Sequence, residues 1–348
     1  MSDRPLTILS VAYPLAPVSP DTVGGAEQVL SAMDRALHAA GHRSIVVAQE
    51  GSRIAGTLRP IPRPAGPLDE AAQAAAQSQT AQAITQTLGA ERVDVIHLHG
   101  IDFHAYLPPP GPPVLATLHL PPSWYPDGAL APARPNTWLH AVSASQHAAL
   151  QGRGGAILPP IPNGVPVEEL ASARHARRSF ALTLGRICPE KGQHDALDAA
   201  HAAGIPLLIG GEVFPYAAHQ HYFETRIRPR LDRRRRFLGP LGFARKRRLL
   251  AAARCLLVPS TAPETSSLVA MEAAACGTPV IAFASGALPE VVEEGRTGFL
   301  VRDAAEMAAA IPRAATLDPA LIRETARRRF SRTRMAADYI ALYRRLVA

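Results

Sequence analysis

Two glutamates, Glu264 and Glu272, stand eight residues apart in the stretch PETSSLVAMEAAACGTPVIAF, residues 263–283, whose composition is otherwise that of a buried helix running into a buried strand. An unpartnered buried carboxylate is costly, so such a pair implies ligands or salt partners. On a helix this spacing keeps both on one side to within about 80°. Carboxylates accept hydrogen bonds from hydroxyl groups, and a pair of them suits diols: one could read a sugar ring and the other a ribose. A second pair, Arg186 and Lys191, lies five residues apart in LGRICPEKG, just past an apolar run. A forked guanidinium and a point-charge ammonium at a strand-to-helix loop suit a diphosphate. Of the 37 basic residues only Lys191 and Lys246 are lysines, so lysine at the first of these positions is a departure from the chain's habit. A third element is DTVGGAEQVL, where Gly24 and Gly25 open a helix after the first strand. Glycines there let a ligand approach the backbone, and free N–H groups at a helix start favour a phosphate. The full GxGxxG spacing is absent, which disfavours a nicotinamide cofactor.

These groups need a scaffold that brings loops together, and the pattern supplies one. LTILSVAY, SIVVAQ, VDVIHLHG, PVLATLHL and TWLHAVS read as strands, and GGAEQVLSAMDRALHAAGH as an amphipathic helix with a glycine stop. An alanine- and glutamine-rich helix is expected over residues 68–88. The proline-rich segment LPPIPNGVPVEE suits a linker or hinge. Alternation then resumes with SFALTLGRI, IPLLIGG, CLLVPS and PVIAF as strands, with helices between them and an amphipathic helix over the last residues. Continuous apolar strands alternating with helices predict an α/β protein with parallel sheets covered on both faces. In such doubly wound sheets ligands sit beyond the carboxyl ends of the strands.

A length of 348 residues favours two domains over one. No apolar run approaches the roughly 20 residues of a membrane span, and the apolar N-terminal segment is too short for a signal peptide. Three widely spaced cysteines, Cys188, Cys255 and Cys276, argue against a disulfide framework or a zinc site and fit a reducing cytoplasm. The net charge of +8 is uneven: residues 1–167 carry 9 Lys+Arg and 11 Asp+Glu, the remainder 28 and 18. The densest basic cluster begins at Arg233 and ends at Arg248. It reads as a solvated face, with nucleic acid, an anionic membrane surface or an acidic substrate as alternatives.

The combination of GGAE, LGRICPEKG, FLGPL and PETSSLVAMEAAACGTPVIA…GALPEVVEEGRTGFLV resembles the retaining GT-B glycosyltransferases of family 4 over nearly the whole chain. The resemblance implies two Rossmann-like domains facing a cleft: residues 1–165 for the acceptor, residues 166–330 for the nucleotide sugar, and residues 331–348 as a helix crossing back to the first domain. By the same resemblance Arg186 and Lys191 neutralise the leaving diphosphate and Glu272 holds the ribose hydroxyls. Glu264 binds the donor sugar, the backbone N–H groups of Thr265, Ser266 and Ser267 cradle sugar and phosphate, and Gly24 and Gly25 approach the phosphate. His119 matches the histidine that the family places beside the transferred sugar. The chain departs from many members at Leu120, where they carry aspartate, and at Thr265–Ser267, where they carry a Gly-Phe-Gly type loop.

The expected reaction is transfer of a hexose with retention, from UDP-glucose first, with UDP-GlcNAc and GDP-mannose as alternatives, to a hydroxyl of a small-molecule, glycan or lipid-linked acceptor. The chain holds no Asp-x-Asp element, so Arg186 and Lys191 are expected to replace a metal at the diphosphate, with no cofactor. Acceptor contacts are expected from PLAPVSPDT and PPSWYPDG, where Trp124 and Tyr125 could stack on a ring. Peripheral membrane contact fits the lipid-linked case. The rivals are an epimerase or phosphorylase on the same frame and a nucleic-acid-binding protein using the Arg233–Arg248 cluster. The latter lacks the interleaved aromatics that stacking requires.

Overall fold

Apolar β-branched runs bounded by polar residues form two wholly parallel sheets in the computed structural model, which describes residues 4–22, 24–66, 68–173 and 175–348. The first unit ends at Pro162 and regains the chain from Thr333 to Ala348; the second is Asn163–Arg332. In the first, strands β1 (Thr7–Val11), β2 (Arg43–Gln49), β3 (Thr57–Ile61), β4 (Val95–Leu98), β5 (Val114–Leu118), β6 (Thr137–Ala141) and β7 (Ile157–Leu158) lie in the order β3-β2-β1-β4-β5-β6-β7. Helices α1 (Gly25–Ala39), α2 (Glu70–Ala90) and α3 (Ala144–Leu150) connect them. The alanine-rich helix starts two residues later than its composition predicts because Asp69 caps it, accepting from the Ala72 N–H at 2.9 Å. Strand β3 contains Pro60, which argues against a strand in the sequence. It is an edge strand, where a missing N–H costs no ladder bond.

The second unit opens with α4 (Val167–Ala171) and repeats the design. Strands β8 (Ala181–Leu184), β9 (Leu207–Gly210), β10 (Arg235–Phe237), β11 (Cys255–Val258), β12 (Val280–Phe283) and β13 (Gly298–Val301) take the order β10-β9-β8-β11-β12-β13. Helices α5 (Gln193–Ala202), α6 (Ala217–Tyr222), α7 (Phe243–Ala252), α8 (Leu268–Ala275), α9 (Leu288–Val291), α10 (Ala304–Arg313) and α11 (Pro319–Arg329) cover it, and the chain then regains the first unit as α12 (Arg332–Leu346). In both sheets the order reverses between the first strand and the fourth, at β1/β4 and at β8/β11. Loops leaving those strand ends diverge there and leave a crevice for a ligand. The proline-rich segment is not wholly linker. Val165 donates its N–H to the Phe330 carbonyl at 2.8 Å and accepts from the Arg332 N–H at 3.0 Å, so the segment from Asn163 onward belongs with the second unit.

The arginine cluster that composition suggests as one solvated face is divided by this fold. Arg235 lies on edge strand β10 and is buried, and Lys246 and Arg247 turn toward the protein from α7. Periodicity missed β10 because two of its three residues are arginines.

A polar seam runs through the first unit's core. His97 on β4 is fully buried, with Nδ1 2.7 Å from the Tyr343 hydroxyl of α12 and Nε2 2.7 Å from Thr117 Oγ1. His140 on β6 accepts from the Ile161 N–H at Nε2, 2.9 Å away, so its Nδ1 carries the proton of the neutral ring. Burial is the largest cause holding both rings unprotonated, with neighbouring histidines adding to it: His97 falls well below the usual range and His140 to about 3. Unfolded, both would take up a proton below about pH 6.5; folded, they refuse it. Stability should therefore fall as the pH drops below about 6.5, by at most about 1.4 kcal/mol per pH unit for each ring. His140→Gln, near in size and non-titrating, should remove that ring's share of the acid dependence and leave the share of His97, which urea unfolding midpoints near pH 7 and pH 5 would check.

Candidate active site

The loops that leave β8, β11 and β12 meet around Glu264 in the second unit. Glu264 follows β11, and its Oε1 accepts from Lys191 Nζ of the β8 loop at 2.6 Å and from the Ser260 hydroxyl. Thr261 donates its N–H to the Glu190 carbonyl at 3.0 Å, which ties the same two loops through their backbones. From the third loop Ala287 donates its N–H to the Glu264 carbonyl at 2.7 Å. Two glycines make this closeness feasible. Gly192 (φ +61°) ends the Lys191 turn, and a Cβ there would collide with the Pro259 carbonyl; Gly286 (φ +56°) presses against the Glu264 backbone, where a Cβ would collide in the same way. The Glu264 side chain is only 9% exposed. Burial pushes its carboxyl upward, but the charge and hydrogen bond of Lys191 outweigh that, with the Ser260 hydroxyl and Arg186 assisting, and hold it below the usual range.

The second glutamate is solved in parallel. Glu272 lies on α8, 3% exposed, with Oε1 2.5 Å from Lys246 Nζ of α7. The chain's only two lysines therefore neutralise its two E-x7-E carboxylates. Residue spacing alone gives Lys246 no role; what marks it in the sequence is its rarity, as one of two lysines.

Several polar groups here are not satisfied by the protein. Glu272 Oε2, Ser266 Oγ and Ser267 Oγ are buried without a hydrogen-bond partner, at a cost of about 1–3 kcal/mol each. Ser267, the residue that opens α8, has φ +57°, a left-handed conformation that a non-glycine residue adopts at some strain. The half-buried Arg186 guanidinium makes no hydrogen bond or ion pair among the described residues, while its carbonyl accepts from Gln193 Nε2 at 2.7 Å. An unpaired cation, a second cation shared with a carboxylate, two orphaned hydroxyls and an orphaned carboxylate oxygen, on the strand-end loops and the helix α8 that continues one of them, match a ligand that is both anionic and rich in hydroxyls.

The remaining predicted residues lie in the first unit. His119 directly follows β5; its Nε2 is 3.0 Å from His99 Nδ1, and burial lowers it to about 4, so the ring is neutral. His99, which the sequence reading passed over, has Nε2 buried without a partner. The His119 backbone N–H points at the Tyr125 hydroxyl, 3.1 Å away. Tyr125 is buried and thus braces this loop, which corrects its reading as a stacking surface; its neighbour Trp124 is 40% exposed. Gly24 and Gly25 stand at the start of α1 as predicted, but the Glu27 carboxylate folds back against Gly24, so the chain itself already supplies negative charge to that helix end.

Comparison with known proteins agrees with this architecture. Residues 23–169 match the family model for Glycosyltransferase Family 4, and residues 178–316 match that for Glycosyl transferases group 1. A glycogen synthase of Mycobacterium tuberculosis is 36% identical over 201 residues, 55% of this chain and 47% of that protein, so the chain spans less than half of that relative's length. Among solved structures, AviGT4, a glycosyltransferase involved in avilamycin A biosynthesis, superposes with a TM-score of 0.72 at 26% identity, over 99% of this chain and 98% of that one. HepE of Anabaena, solved in complex with UDP and glucose, shares the fold with a TM-score of 0.74 at 20% identity over 97% and 99%. Among the described residues no helix is long and apolar enough to cross a membrane. With a Family 4 domain followed by a group 1 domain on two Rossmann-like parallel sheets, the chain belongs to the GT-B glycosyltransferases.

Proposed function

We propose that the chain transfers a hexosyl group, with retention at the anomeric carbon, from a nucleoside-diphosphate sugar to a hydroxyl acceptor. The observation that carries this reading is the set of buried, unpartnered oxygens at Ser266, Ser267 and Glu272, on the β11 loop and the helix α8 it leads into, together with the unpaired Arg186 of the neighbouring β8 loop. Arg186 and Lys191 take the diphosphate, with no metal required between them. Glu272, held by Lys246 through Oε1, offers Oε2 to the ribose hydroxyls. Glu264 receives both its side-chain bonds on Oε1 and offers Oε2 to the hexose, and the Thr265–Ser267 backbone cradles sugar and phosphate. From the first unit, His119, Gly24 and Gly25 are assigned to the donor by family resemblance.

In the step itself the acceptor oxygen bonds to the anomeric carbon as the bond from that carbon to the β-phosphate oxygen breaks. The electron pair departs with the diphosphate, and the acceptor's proton passes to the departing phosphate oxygen on the same face. Charge grows on the diphosphate, so fixed cations aimed there are the main source of acceleration. UDP-glucose is the first donor to test. Nothing in the fold favours nucleic acid, since the arginine cluster is split between an edge strand and a helix whose Lys246 is spent on Glu272.

Calorimetry with UDP, GDP and ADP without added metal should show one nucleotide bound by the wild type and not by Glu272→Ala; a flat panel with folded protein would overturn the reading. Lys191→Ala should lower turnover on the order of 100-fold, about 3 kcal/mol of transition-state stabilisation, with the circular dichroism spectrum unchanged. Lys246→Met strands the buried Glu272 charge and should cost about 3 kcal/mol of stability. The double variant Lys246→Met/Glu272→Gln should regain most of it, as measured by urea unfolding.

A further inference from the structure

Outside the groups assigned above, Cys188, Glu190 and His219 converge in the second unit, with one ligand atom of each within 4.8 Å of the others. Cys188 and Glu190 belong to the loop after β8, and His219 to helix α6, which follows β9. Strands β8 and β9 pair directly, so the cluster bridges the loops of adjacent strands. Cys188 is buried, and its thiol lies 3.7 Å from the Arg186 carbonyl and within hydrogen-bonding reach of the Glu190 carboxylate. His219 Nδ1 is buried without a hydrogen-bond partner. Glu190 and His219 are half-exposed, which gives the cluster access to solvent.

We propose that Cys188, Glu190 and His219 form a binding site for a soft divalent cation, Zn²⁺ foremost. Sulfur and imidazole nitrogen together select zinc over magnesium or calcium, whose preference is for oxygen alone. Zinc–sulfur bonds of about 2.3 Å and zinc–nitrogen or zinc–oxygen bonds of about 2.0–2.1 Å set tetrahedral ligands roughly 3.5 Å apart. Closing from the observed separation takes side-chain movements of about 1 Å, within reach of the two half-exposed groups. Three protein ligands leave the fourth position to water or another oxygen. The bound ion would cross-link the β8 loop to α6, close to Arg186 and Lys191. Cysteine spacing in the sequence argued against zinc because it detects ligand pairs on one loop. Here one ligand comes from a separate helix, and only the parallel pairing of β8 with β9 brings it near.

The test is a titration of the full chain with Co²⁺ as a spectroscopic stand-in, followed by displacement with Zn²⁺. One equivalent should produce the near-ultraviolet thiolate-to-cobalt charge-transfer band and the visible bands of tetrahedral cobalt, both lost on adding Zn²⁺. Cys188→Ser should abolish the charge-transfer band, and His219→Ala, at a half-exposed position, should weaken Co²⁺ binding by roughly tenfold or more. Cys255 and Cys276 remain in both variants as internal controls. A band that survives Cys188→Ser would place the ion on another thiol and overturn the proposal. So would a wild type that shows no band and no heat with Zn²⁺, or a folded His219→Ala that binds Co²⁺ as tightly as the wild type.

Discussion

Two carboxylates held in apolar surroundings are the constraint on which the second unit depends. A buried carboxylate loses its hydration, and only a close cation with directed hydrogen bonds restores the balance. The protein supplies one lysine to each: Lys191 from the β8 loop to Glu264, and Lys246 from α7 to Glu272. Each pair joins elements distant in sequence, so the electrostatic solution is also a positional one. Fixing Glu264 fixes the β8 loop against the β11 loop, and fixing Glu272 fixes α7 against α8. Arg186 is left as the unpaired cation of the group, ready for a ligand's charge.

The sheets explain why these loops can meet at all. Parallel strands send every connection that follows a strand to the same edge, and the reversal of order at β8/β11 separates the two flanking crossovers. Loops after β8, β11 and β12 therefore share one edge, and glycines at 192 and 286 let their backbones touch where any Cβ would hold them apart. The unsatisfied oxygens at Ser266, Ser267 and Glu272 belong to the segment that follows Glu264, from the β11 loop into α8. Placing them there costs the fold stability, which a bound ligand with hydroxyl donors would restore.

The first unit meets a different constraint. Its core strands carry histidines near their carboxyl ends, and His97 and His140 are accommodated by staying neutral and bonding to Thr117, the Ile161 N–H and the tyrosines of α12. A helix that begins beyond Ser331 thereby becomes part of a core begun at Thr7. The same arrangement makes the unit sensitive to acid, since among the described residues no carboxylate acts on His97 or His140 to receive the charge.

The alternation of strands and helices, the doubly wound class, and the places of Glu264, Glu272, Arg186, Lys191 and the Gly24–Gly25 turn along the chain are legible in the amino-acid order alone. All of these are carried by local periodicity, turn chemistry or residue type. That order does not reveal edge strands β3 and β10, because Pro60 and the arginines of β10 contradict local strand propensity and are tolerated only where one flank lacks a neighbour. Nor could it pair Lys191 with Glu264, Lys246 with Glu272, or Cys188 with His219, since those contacts span long stretches of chain and depend on which strands lie side by side. Tertiary structure decided them because a parallel sheet fixes the order of its loops through strand register, and charge pairing then selects which side chains those loops turn inward.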